Sequence, residues 1–151
     1  VRRRVLEASV RAPQEWHHDA ISAAFTSDEE AWRLTAVFCM RFVRGFDDQI
    51  LEALDSESTD VRYHAVIAAG NWEVADAWPH VAALVGAKDI DKPLLLAAIE
   101  AVGSIRPREA LEILEDLRTS DDEDVVDAVN ETLAIAGGLS REDDDDWAGE
   151  R

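Results

Sequence analysis

Several side chains in this sequence carry types suited to catalysis, metal binding or docking, and their spacing decides between those uses. His17-His18-Asp19 sets two imidazoles beside a carboxylate, the donor types of a transition-metal site. Adjacent helix residues point about 100° apart, and no second cluster supplies the remaining ligands, so no metal site is expected there. His64 and His80 stand singly. His80 occupies the place that Ile50 and Ile113 hold in neighbouring copies of a repeated pattern, so it reads as a partly buried, hydrogen-bonded histidine. Cys39, the lone cysteine, is the one candidate thiol nucleophile, yet it falls on an apolar helix stripe at the position of Ala68. It reads as a small buried packing residue. No catalytic residue and no cofactor are expected.

Charge narrows the choice of partner. The net charge of -18 disfavours binding to phosphate backbones and favours a basic protein or peptide. Only Lys88 and Lys92 are lysines among 15 basic residues. That balance also matches proteins adapted to high internal salt, in which acidic surfaces keep the fold hydrated. A single cysteine excludes an internal disulfide and a multi-cysteine zinc site. No apolar run approaches the length of a membrane span, so no membrane partner is expected and the cytoplasm is the expected compartment. Valine at position 1 suggests a processed or excised product of a longer parent.

The elements that must position these residues show in a repeat. VRYHAVIAAG at 61–70 finds counterparts in WRLTAVFCMR at 32–41 and LLLAAIEAVG at 94–103, with weaker copies from Val1 and Val125. The copies start about thirty residues apart. A second apolar segment follows each: AWPHVAALV at 77–85 matches EALEILEDL at 109–117, with the stripe of an amphipathic helix. Gly70-Asn71 and Gly103-Ser104 are placed to stop helices, Pro107 to open one, and Asp76 to cap one. Gly137-Gly138 is expected to end the last helix. No run alternates with period two for long enough to be a strand. The fold class is therefore all-α, an α-solenoid of about four and a half stacked helix-turn-helix units. Their spans are about 1–27, 28–58, 59–90, 91–121 and 122–137, with an acidic, flexible tail at 138–151. Ala65, Ala68 and Ala69 are small because neighbouring helices approach closely in such a stack.

The Val-Arg start at Val61-Arg62, then Ala65, Ala68, Gly70, Ala77, Pro79 and Leu84, with Ala98, Ala101, Gly103, Ala110 and Leu114, resembles HEAT repeats. The likeness is closest to the short HEAT-like subclass named after the phycobilisome lyases. It implies stacking geometry rather than chemistry. One enzymatic branch of HEAT-like proteins, deoxyhypusine hydroxylase, binds di-iron through His-Glu dipeptides, and none occurs here. HEAT-like DNA glycosylases use a cationic groove, which the charge opposes.

A solenoid of this kind presents a concave face lined by second helices, and with the acidic charge of the chain the expected function is a non-enzymatic scaffold that binds a basic protein or peptide there. Outward positions Asp48, Glu52, Asp76, His80, Glu109, Glu112 and Asp116 would form its acidic strip, and Trp147 would anchor the acidic tail on a partner. The alternatives are a bilin-lyase-like enzyme or subunit, and a structural segment of a larger solenoid whose exposed ends drive association of copies.

Overall fold

A computed structural model describes residues 2–149, and side chains through Gly138. Helices and 3-10 turns carry the fold, with no strand among the described residues. The chain forms two compact units, Val1–Ala77 and Trp78–Arg151.

The first unit contains α1 (Arg2–Ser9), α2 (Glu15–Phe25), α3 (Glu30–Met40), α4 (Asp47–Leu54) and α5 (Thr59–Asn71). The first helices stack on one another, α1 on α3 and α3 on α5, while α2 packs on α3 and α4 on α5. The α5 sequence explains its place. Ser58 caps it, its hydroxyl accepting from the Val61 N–H at 3.3 Å. Val61, Ala65, Ala68 and Ala69 then recur with helical spacing and are buried. Between α3 and α4 the chain turns at Gly45, whose φ of 105° is open to glycine and costly for other residues.

The end of α5 differs from the expected glycine stop. Gly70 is buried inside the last turn, and the reversal comes three residues later. The Glu73 N–H donates to the Gly70 carbonyl at 3.2 Å and the Val74 N–H to the Ala69 carbonyl at 2.9 Å. Glu73 sits at φ 51°, so this is a Schellman stop with glutamate in the left-handed position. Asp76 likewise does not cap the next helix. It lies within a 3-10 turn, Ala75–Ala77, because the chain begins to coil before the expected cap.

The second unit contains α6 (Trp78–Gly86), α7 (Lys92–Ile105), α8 (Pro107–Leu114), a 3-10 turn (Glu115–Thr119) and α9 (Glu123–Gly149). Asp91 caps α7, its carboxylate accepting from the Leu94 N–H at 3.4 Å, and Pro93 fits the first turn. Pro107 opens α8 as its sequence position indicates. The α7 helix runs past Gly103-Ser104 to Ile105. Gly103 serves close approach, since a Cβ there would overlap the Thr132 side chain on α9. Val125, Val129, Thr132 and Ala136 form the buried stripe of α9. Its backbone stays helical through Gly137 and Gly138, contrary to the expected stop. Neither glycine takes the positive φ that a helix-ending glycine uses. The side chain of Trp147 lies outside the described residues.

Candidate partner-binding surface

Second helices carry most of the residues singled out as a docking strip. Asp48 and Glu52 are one turn apart on α4, share a helix face and are exposed. Asp76 is exposed on the following 3-10 turn. In the second unit, Glu109 and Glu112 on α8 and Asp116 on the succeeding 3-10 turn are exposed, and His80 on α6 is half-buried. The short apolar repeat of α8 sets that pattern: Ala110 and Leu114 turn inward, which sends Glu109 and Glu112 outward.

Glu52 also belongs to a concavity. Together with Glu30, Asp55 and Glu57 it lines a cavity of about 580 Å³ between parts of α2, α3, α4 and α5. Phe25, Val37 and Val61 give the cavity an apolar floor. One cation, Arg33, shares it, and its Nη1 is held by the Ser27 carbonyl at 2.7 Å. Four carboxylates against one tethered guanidinium make the site acidic, able to take an ammonium or guanidinium group. Sequence reading singled out Glu52 but missed Glu30, Asp55 and Glu57. Glu30 sits in the first turn of α3, where a carboxylate also serves the helix dipole, and Asp55 and Glu57 lie in the turn between α4 and α5, where acidic residues are common and give no separate signal.

The histidines divide by environment. His17 is fully buried, with both ring nitrogens engaged: Nδ1 accepts from the Gln14 N–H at 2.7 Å, and Nε2 lies 2.8 Å from the Ser9 hydroxyl. Since Nδ1 accepts, the ring proton sits on Nε2 and is donated to Ser9, whose own hydroxyl donates to the Leu6 carbonyl at 2.9 Å. His18 is exposed and stacks on Phe46 at 4.5 Å, so the two imidazoles do not converge on one ion. Among the described residues, no group of three or more His, Cys, Asp or Glu side chains is placed to hold a metal. Trp16, exposed, stacks on the His17 ring at 3.9 Å.

Cys39 is fully buried, and burial together with the Glu7 carboxylate pushes its thiol up to about 12. It remains protonated at neutral pH and acts as a packing residue. His64 is half-buried, and its pKa is lowered first by that burial and then by Arg41 beside it.

Residues 48–134, more than half of the chain, match the family of HEAT repeats, and the protein belongs to that family. The match supports HEAT repeats in general and not the narrower phycobilisome-lyase subclass. No curated protein matches the chain. No helix among the described residues is long and apolar enough to cross a membrane.

Proposed function

We infer that the protein is a non-enzymatic scaffold that docks a basic protein or peptide segment on its second-helix side. HEAT repeats commonly serve as protein-interaction scaffolds, and the observation that carries the basic partner is the acidic cavity at Glu52. A lysine or arginine entering it meets carboxylates at its charged end, while its methylene stem lies against Phe25, Val37 and Val61. Asp48 and Asp76 extend the acidic surface of the first unit. Glu109, Glu112 and Asp116 offer further acidic positions on the other unit, which also carries the half-buried His80.

The test is fluorescence anisotropy with a labelled octalysine peptide. The Glu52→Lys variant should weaken binding by about tenfold or more, since each charged contact in a concave site carries about that weight. The Glu112→Lys/Asp116→Lys pair should weaken it further while leaving circular dichroism unchanged. Undiminished affinity in both variants removes the acidic surface from the function.

A second reading, association between copies through an exposed apolar end, rests on one groove. Val5 is 59% and Trp16 53% exposed, and both line a cavity of about 470 Å³ with Trp32 and Ala20. Light scattering of wild type and Trp16→Glu would separate it: a monomer at every concentration excludes this route.

A further inference from the structure

We propose that the cavity of about 710 Å³ formed by α1, α3 and α5 in the Val1–Ala77 unit binds an oxyanion, the phosphate or carboxylate of a small ligand with an apolar body. This site is independent of the acidic surface and lies on the first helices rather than the second.

Charge distribution is the first observation. The opening eleven residues hold Arg2, Arg3, Arg4 and Arg11 against Glu7 alone, within a chain of net charge -18. Three of the four arginines line the cavity, and Glu7 is the one carboxylate that lines it with them. Their placement works against local stability: Arg2, Arg3 and Arg4 occupy the first turn of α1, which has no acidic residue. The positive end of a helix dipole disfavours cations there. A bound anion reverses the sign of that interaction.

Internal partners leave these guanidiniums with donors to spare. Arg4 meets Glu7 at 3.4 Å with its side chain 83% exposed, a pair that contributes little. Among the described residues Arg3 reaches the Thr35 hydroxyl, at 3.5 Å, and that hydroxyl donates to Glu7 at 2.8 Å. Arg11 makes no ion pair among the described residues. Arginine presents five N–H donors in a planar fork matched to phosphate and carboxylate.

His64 and α3 complete the cavity. The Nη1 of Arg41 lies 3.2 Å from His64 Nδ1. Arginine only donates, so Nδ1 accepts and Nε2 carries the hydrogen. His64 therefore adds a neutral donor to a site that Leu34 and Phe38 also line. Phe38 packs edge-on against His64, with 5.5 Å between ring centroids. The volume falls in the range of small-molecule sites, roughly 300–1,000 Å³.

The test is isothermal titration with phenyl phosphate, phenylacetate and the neutral analogue benzyl alcohol at ~0.1 M salt. At least one anion should saturate a single site about tenfold or more tightly than benzyl alcohol. The tighter of the two assigns the ligand as phosphoryl or carboxylic. Arg3→Gln/Arg11→Gln should weaken that anion about tenfold or more, whereas Arg108→Gln, an exposed arginine of the other unit, should not. Arg11→Gln alone, at an exposed position after α1, tests the site should the double variant unfold. Absence of saturation by either anion up to ~10 mM overturns the proposal, as does unchanged binding in a folded Arg3→Gln/Arg11→Gln or Arg11→Gln protein.

Discussion

The indole Nε1 of Trp72 donates to the main-chain carbonyl of Met40 at 2.6 Å, joining the turn after α5 to the end of α3. That carbonyl is one of the four that a helix leaves unsatisfied at its C-terminus. The Arg44 guanidinium lies over the same indole, 5.0 Å from the ring centroid. Trp72→Phe keeps the aromatic body and removes the donor. It should cost about 1–3 kcal/mol, the range for leaving a partly buried acceptor unpaired. Urea unfolding measures this, and a loss near zero would mean that water replaces the indole.

Gly103 and Thr132 test the closest helix contact in the second unit. Gly103→Ala places a methyl on the Thr132 side chain and should cost about 1–3 kcal/mol. Thr132→Ser removes the opposing methyl, so the double variant should recover much of the loss. Additive effects in a double-mutant cycle would show that the two helices separate instead.

Glu73 holds a left-handed backbone at the end of α5 with a side chain ill-suited to it. Glu73→Gly should stabilise the protein by about 0.5–1 kcal/mol, as relief of the Cβ clash exceeds the added freedom of the unfolded chain. A destabilised variant would assign the glutamate side chain a compensating contact.

The Cys39 thiol, pushed up to about 12 by burial and by Glu7, should resist iodoacetamide at pH 8 in the native protein and react on unfolding. The sign of its pH linkage follows. The folded value lies above the unfolded one of about 8.5, so the contribution to stability is whole below pH ~8.5 and lost as pH rises towards the folded value. Rapid native alkylation would place the thiol at the surface.

Much of the fold was legible because the repeat writes its packing into residue size. Ala65, Ala68 and Ala98 mark helix faces that touch, and Pro107 marks a helix start. Helix ends were harder to read. A stop depends on which residue takes the left-handed backbone, and Glu73 does so where Gly70 was expected. Gly137-Gly138 shows the converse, since glycine permits a stop without enforcing one. His17 was singled out as a ligand type, but its partner is Gln14, three residues earlier, a spacing characteristic of helix caps. The acidic candidates were readable as charges on helix faces. Their concavity was not, because the cavity at Glu52 gathers residues from Phe25 to Val61, and the arginine cavity joins Arg3 to His64.

The most direct measurement of the scaffold reading is zero-length carbodiimide cross-linking to octalysine, mapped by mass spectrometry at ~0.1 M and ~1 M salt. Exposed charge attraction reaches roughly 10 Å at the lower salt and 3 Å at the higher. Cross-links concentrated on Glu52, Asp55 and Glu57, with a weaker set on Glu109, Glu112 and Asp116, and lost at high salt, are the expected result. Cross-links spread over the exposed carboxylates in proportion to their number would contradict a built docking site and leave only a general acidic surface.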